Sequence, residues 1–251
     1  MIPERAAKRE LLGGLECAVY AAQRETRLIV VLCHGFGAPG TDLVPLSWEL
    51  TSQRPILAEY VEWVFPAAPI RLEQTGGFDG RAWWPLDVMA LMTAVAAGDL
   101  DVLRRARPEG LARARTMLEA LLDEVGRRSG LGADRMVLGG FSQGAMLATD
   151  LALRMEHGPA LLAIFSGTLI CENEWRQLAR HKRSLRVLQS HGRYDTVLPF
   201  ELAKSLRDLL AEAGITVEFI DFPGDHTIAG QVVDRFGQLL EEFVGDHLDK
   251  G

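Results

Sequence analysis

The sequence predicts an α/β fold: a mostly parallel central sheet flanked by helices on both faces. Three observations carry this. Strand-like and helix-like segments alternate along most of the chain, the pattern of parallel strands joined by helical crossovers. Leu28-Ile29-Val30-Val31-Leu32-Cys33 is a near-continuous apolar run, as expected of a strand covered on both faces. Met136 to Ala145 reads as a short apolar strand, then Gly140-Phe141-Ser142-Gln143-Gly144, then a helix of small and apolar residues. That is G-x-S-x-G in the setting where a tight strand-to-helix turn lifts a serine hydroxyl clear of the backbone.

In chain order, Leu15 to Tyr20 is an opening strand with a polar turn at Arg24-Glu25. The apolar strand 28–33 ends at His34-Gly35-Phe36-Gly37-Ala38-Pro39-Gly40, after which Asp42 is placed to cap a short helix. A strand at Tyr60 to Phe65 is stopped by Pro66-Ala67-Ala68-Pro69. The next stretch holds a glycine-rich run, Gly76-Gly77-Phe78-Asp79-Gly80, read as flexible, and then Trp83-Trp84-Pro85. Residues 86–97 are apolar on every side of a helical wheel apart from Asp87 and Thr93. The favoured reading is a buried helix; the alternative is a cap segment, at about 83–104, whose inner face meets a substrate acyl chain.

Pro108 suits a helix start, and Leu111, Ala114, Leu118, Leu121, Leu122 and Val125 form one apolar stripe, with Arg113, Arg115, Glu119, Asp123 and Arg127 on a solvated face. After the serine motif, Leu147, Leu151 and Met155 carry the helix's apolar side until Gly158-Pro159 breaks it. Strands follow at 160–165 and 185–189, then a helix at 199–213 ended by Gly214, a strand at 216–221 and a last helix from about 229 to 244 with Val233, Phe236, Leu240 and Phe243 at helical spacing. With no repeat, low-complexity segment or linker, residues 1–251 read as one domain.

Composition narrows the function. At 48% hydrophobic and 24% charged, the chain can bury a sizeable core. A net charge of −7 argues against a protein built to hold nucleic acid or an anionic membrane. The opening residues lack the apolar core of a secretory signal, and no apolar run approaches the roughly 20 residues of a membrane span. A cytoplasmic protein without stable membrane insertion is therefore expected. Cys17, Cys33 and Cys171 are odd in number and scattered, with neither a disulfide framework nor zinc-ligand spacing.

If Ser142 is a nucleophile it needs a base, because a free hydroxyl is barely ionised at neutral pH. In a sheet of this kind the partners follow in the order acid, then histidine. His226 lies in a turn just past a strand and before the last helix, whereas His157, His181 and His247 fall in helices, helix ends or a polar tail. Asp195, in the loop opened by His191-Gly192-Arg193-Tyr194, is the candidate orienting carboxylate. Asp221 and Asp225 are rivals, less well set to reach the imidazole from a neighbouring loop. Oxyanion donors are expected from the Gln143 amide, directly after the serine, and from the 34–37 turn, where Phe36 is the choice. His34 reads as a turn-structuring residue. Gly35 to Gly40 also satisfies G-x-G-x-x-G, but Pro39 removes an N–H from the loop and no acidic residue ends the next strand, so a dinucleotide site is set aside. The bland alternatives remain a glycine-rich loop with a surface serine, an Asp195 that only caps its turn, and an exposed loop histidine.

Gly139 to Gly144, with His34-Gly35-Phe36-Gly37 upstream and His191 to Asp195 and Gly224-Asp225-His226 downstream, resembles the phospholipase/carboxylesterase family. Pro66 to Pro69 and Arg81 to Trp84 are similar to its intervening loop motifs, and the likeness spans roughly residues 28–244. The resemblance implies the α/β-hydrolase fold, Ser142, Asp195 and His226 as a triad, Phe36 and Gln143 amides as oxyanion hole, and no cofactor. Ala145 stands where many members have another glycine, and the apolar segment 86–101 is longer than in small members, where substrate-covering loops lie. The expected activity is cleavage of small-molecule carboxylic esters through an acyl-enzyme, with long-chain thioester or lysophospholipid hydrolysis as the alternative and a non-catalytic binding protein as the reading from another class. Trp83, Trp84, Met89 and Met92 are the candidate pocket residues.

Overall fold

The computed structural model describes residues 7–72 and 80–248; the glycine-rich run from Gly76 to Asp79 and the first six residues lie outside them. An eight-stranded sheet forms the centre, built from β1 (Lys8–Leu12), β2 (Leu15–Tyr20), β3 (Leu28–Cys33), β4 (Val61–Pro66), β7 (Met136–Phe141), β8 (Leu161–Phe165), β9 (Arg186–Gly192) and β10 (Thr216–Phe222). A separate short pair, β5 (Ile70–Arg71) and β6 (Arg81–Ala82), lies between β4 and β7 in sequence. The sheet order is β1-β2-β4-β3-β7-β8-β9-β10. The β1–β2 and β2–β4 pairs are antiparallel, and every neighbour from β4 to β10 is parallel.

The helices are α1 (Val44–Gln53), α2 (Pro55–Tyr60), α3 (Val88–Ala97), α4 (Leu100–Arg105), α5 (Leu111–Ser129), α6 (Gln143–Arg154), α7 (Glu172–Ala179), α8 (Phe200–Glu212) and α9 (Gly230–Leu248). The period-2 rule of strands divides the core. In β3, Ile29, Val31 and Cys33 pack towards α5 and α6, while Leu28, Val30 and Leu32 join the layer containing α1, α2 and α9. Both faces being covered, all six residues of β3 are buried, which is why its sequence shows no alternation. The α5 stripe from Leu111 to Val125 is buried as its spacing predicts.

Several boundaries moved for local reasons. Tyr60 ends α2 and does not open β4. Leu43, with no side-chain cap, precedes α1, so Asp42 does not cap it. Pro108 sits in a turn, its carbonyl accepting from Leu111, and left-handed Gly110 leads into α5. β9 runs on to Gly192, so His191 lies within the strand. The polar segment β1 was not foreseen, because an edge strand needs little apolar patterning.

The buried-helix reading of residues 86–97 is corrected: no residue of α3 is buried, and Met89 and Met92 are 73% and 61% exposed. A helix with no charged residue stays on the surface because α3 and α4 form a cap that packs its other side over the site. Asp87 and Asp99 cap the two helices by accepting from the Ala90 and Val102 amides. Arg104 of α4 pairs with Glu172 at 3.1 Å, and the Cys171 amide donates to Ala106, so the far end of the cap is tied to α7.

Asp150 of α6 is fully buried, and its carboxylate accepts from Arg115 (2.7 Å), Arg154 (3.2 Å) and the Trp175 indole (2.9 Å). Arg115, placed by its spacing on the solvated face of α5, thus reaches inward to the helix that follows the serine. Removing the carboxylate strands a buried indole N–H and two half-buried guanidinium groups. Asp150→Ala is expected to lower unfolding free energy by about 3 kcal/mol, measured by urea denaturation; a change below about 1 kcal/mol would show that this network does not brace α6.

Candidate active site

Ser142 occupies the turn between β7 and α6 with φ 54 and ψ −119, a conformation that costs an L-residue strain. The turn is held by the Ser142 amide donating to the Phe165 carbonyl at 2.9 Å. Gly144 permits it, because a Cβ there would lie 2.2 Å from the Cys33 carbonyl oxygen, so α6 can start against the end of β3 only with hydrogen in that place.

Adjacent parallel strands bring the next two groups together. Asp195 follows β9 and His226 follows β10, and the two loops are laced by backbone bonds: the Arg193 amide to the Phe222 carbonyl and the Tyr194 amide to the Gly224 carbonyl, both 2.9 Å. Gly192 lies so close beneath the histidine loop that a Cβ would meet the Asp225 carbonyl oxygen at 2.1 Å. His226 Nδ1 lies 2.7 Å from Asp195 Oδ2, the distance of a charge-assisted hydrogen bond. Asp195 Oδ1 accepts from the Val197 and Leu198 amides at 2.9 and 2.8 Å. Burial pushes the Asp195 carboxyl up, but hydrogen bonds from His191, His226 and the Leu198 amide outweigh it and hold the group well below the usual carboxylate range. The Phe141 ring packs on the His226 imidazole at 4.8 Å between centroids, and the Ser166 hydroxyl donates to the Thr227 carbonyl, fixing the histidine loop from β8. The rival acids lie elsewhere: Asp221 pairs with Arg193 at 3.2 Å, and Asp225 is exposed. His157 and His181 are surface residues.

The turn after β3 faces Ser142 from the other side. Among the described residues, neither the Phe36 nor the Gln143 amide has a hydrogen-bond acceptor, the latter because first-turn helix amides have no intrahelical partner. His34 is buried; its Nδ1 lies 2.7 Å from the Gly35 carbonyl and its Nε2 accepts from the Ala68 amide at 2.9 Å. Those partners set the Nδ1–H tautomer, and burial pushes its pKa down to about 4. The loop motifs brace this turn. Arg81 reaches Glu16 at 2.5 Å and the Ala68 carbonyl, while its own carbonyl accepts from the Gly37 amide. The Gln143 side chain clamps the tryptophan pair, accepting from the Trp83 amide (2.9 Å) and donating to the Trp84 carbonyl (3.0 Å).

A cavity of about 480 Å³ opens between these groups and the cap. Phe36, Phe141, Ser142, Gln143 and His226 form its floor, and Leu91, Ala94, Leu103 and Ala106 its cap side, with Trp84, Met146 and Ile170 along the walls. Of the four sequence-predicted pocket residues, Trp84 lines the cavity. Trp83 is buried behind it, with its indole donating to the His34 carbonyl, and Met89 and Met92 point outward. Along α3 the cavity is lined by Val88, Ala90, Leu91 and Ala94, a set that the almost uniformly apolar segment could not single out.

The strand order, the serine on its sharp turn and the acid and histidine on successive strand ends define an α/β-hydrolase. The phospholipase/carboxylesterase family profile matches residues 16–243, and the chain belongs to that family. It is a serine hydrolase of carboxylic esters. An acyl-protein thioesterase 1 from Neurospora crassa is 28% identical over 238 residues, covering 92% of this chain and 91% of the relative. Among solved structures, esterase PE8 superposes with a TM-score of 0.73 at 26% identity, over 91% of this chain and 99% of that one. A carboxylesterase from Mesorhizobium loti shares the fold, with a TM-score of 0.71 at 21% identity over 94% and 99%.

His34 makes stability pH-dependent. Its folded pKa of about 4 lies below the ordinary 6.5, so below pH 6.5 the unfolded chain takes up a proton that the folded chain refuses. Its contribution is intact above about 6.5 and is lost progressively as the pH falls to about 4. Unfolding free energy measured from pH 7 to 4 should fall over that window, and His34→Gln should flatten the decline; an equally steep decline in the variant would assign it to other groups.

Proposed function

We propose that Ser142 is the nucleophile, His226 the general base and acid, and Asp195 the carboxylate that orients His226, with the Phe36 and Gln143 amides as oxyanion donors. The Asp195–His226 bond of 2.7 Å, at the edge of a cavity floored by Ser142, is the observation that carries this reading. Ser142 Oγ attacks the ester carbonyl carbon while its proton passes to His226 Nε2. The carbonyl oxygen, now negative, is held by the two amides, aided by the positive end of α6. Collapse breaks the bond to the leaving alcohol, which takes the proton from His226, and water then releases the acid from the acyl-enzyme by the same steps.

Long acyl chains, as esters or thioesters, are the second reading for the substrate. The apolar cavity roofed by Leu91, Ala94 and Leu103 supports it, as does a relative named as an acyl-protein thioesterase. No helix among the described residues is long and apolar enough to cross a membrane. The three cysteines are unpaired and buried, and burial pushes the Cys17 and Cys171 thiols up to about 12 and about 11, in keeping with a reducing, cytoplasmic setting.

Ser142→Ala should abolish hydrolysis of p-nitrophenyl butyrate and labelling by a fluorophosphonate while the far-UV spectrum is kept; retained turnover would remove Ser142 from the mechanism. His226→Ala should lower kcat/KM for the same ester by about a thousand-fold, since the serine proton then loses its acceptor; a loss below about ten-fold would remove His226 as base. Filling the cavity from the cap tests the acyl-chain reading. Leu91→Trp should lower kcat/KM for a C12 ester roughly ten-fold or more while leaving the C4 ester within about three-fold, because each buried methylene contributes up to about 0.8 kcal/mol. Equal losses on both esters would place the chain elsewhere.

A further inference from the structure

Asp195 is met by two imidazoles. Besides His226, the fully buried His191 places its Nε2 3.1 Å from the same oxygen, Oδ2, and 2.8 Å from the Leu198 carbonyl. Both neighbours are acceptors, so Nε2 must carry the hydrogen. His191 Nδ1 is buried and has no hydrogen-bond partner among the described residues, so a proton there would be an unsatisfied donor on a buried cation. The environment therefore selects the neutral Nε2–H tautomer. Counting the Val197 and Leu198 amides, four N–H groups converge on one carboxylate, which has about four acceptor directions.

We propose that His191 is a positioning residue of the hydrolase: its Nε2–H, shared between Asp195 Oδ2 and the Leu198 carbonyl, holds the acid loop on β9 and disperses the negative charge that Asp195 presents to His226. The proposal rests on the reading of Asp195 and His226 as orienting acid and base. A donor on Oδ2 weakens the hold of that oxygen on the imidazolium form of His226. The other charged groups around the pair are mutually compensated or exposed. Arg193 pairs with Asp221, Lys204 pairs with Glu201 at 3.3 Å beside the Phe200 ring that packs near His191, Asp225 is exposed, and Ser142 and Tyr194 are uncharged.

The test is the pH profile of kcat/KM for a C4 ester in His191→Leu, which removes the donor, and His191→Gln, whose amide N–H reaches about the position of Nε2. The Leu variant should show its acid limb moved to higher pH by about half a unit or more and a plateau lowered roughly ten-fold. The Gln variant should restore the limb and most of the rate. A folded Leu variant with its limb at the wild-type pH, or a Gln variant no better than Leu, would reduce His191 to packing and overturn the proposal. Nitrogen-15 imidazole NMR of the unaltered protein gives a second reading that needs no variant to fold. His191 should appear as the Nε2–H tautomer, and a hydrogen on Nδ1 would overturn the assignment. His226→Ala is the control, since an acid limb that survives it would fault the triad reading and not the role of His191.

Discussion

The approach of α6 to the end of β3 governs the site. Ser142 can stand proud of the sheet only because the chain reverses from strand to helix within one residue, and that residue adopts φ 54 and ψ −119 at the cost of strain. Gly144 lets the helix begin against the Cys33 carbonyl, and the Ser142 amide is held by Phe165 from β8. Once the helix is there, its first amide lies unpaired beside the serine. The same turn thus brings the serine and an unpaired amide to the cavity, and the Gln143 side chain extends the arrangement by fixing the tryptophan pair.

The acid and the histidine depend on a different physical fact, the parallel pairing of β9 with β10. Two strands in register end side by side, so loops 30 residues apart in sequence meet at their first turns. Backbone bonds between the loops and the absence of a side chain at Gly192 bring them within hydrogen-bond distance. The electrostatic result is a carboxylate that stays ionised despite burial, because every one of its acceptor directions faces an N–H. Burial without those donors would favour the protonated acid.

The cap obeys a different rule from the core. Its first helix, α3, is apolar on both sides, one set of residues closing the cavity and the other exposed. Anchorage comes from its ends: aspartate caps at both helix starts, ion pairs from α4 to Glu172, and the Ala106 carbonyl held by Cys171. Cavity shape on this side is therefore set by a segment with little burial of its own.

The sequence alone determined the parallel sheet, the order of the strands and helices flanking it, and the candidacy of Ser142, Asp195 and His226. Each of those is written in local signals: a two-faced apolar run, a G-x-S-x-G between strand and helix, and polar residues in the turns that follow strands. The stripes of α5 and α9 were legible for the same reason, since one buried face leaves a period of 3.6. Where no such contrast exists the sequence was mute. In residues 88–97 every position but Thr93 is apolar, so little marks which side turns inward, and only the packing of the cap over the cavity chose Leu91 and Ala94 over Met89 and Met92. His191 read as the opening of a loop because its neighbours are turn residues. Its place against Asp195 follows from β9 running on to Gly192, past the expected end at Gln189, with the acid loop folding back onto the strand end. Contacts of that kind join residues through the fold, and no local pattern of residue types encodes them.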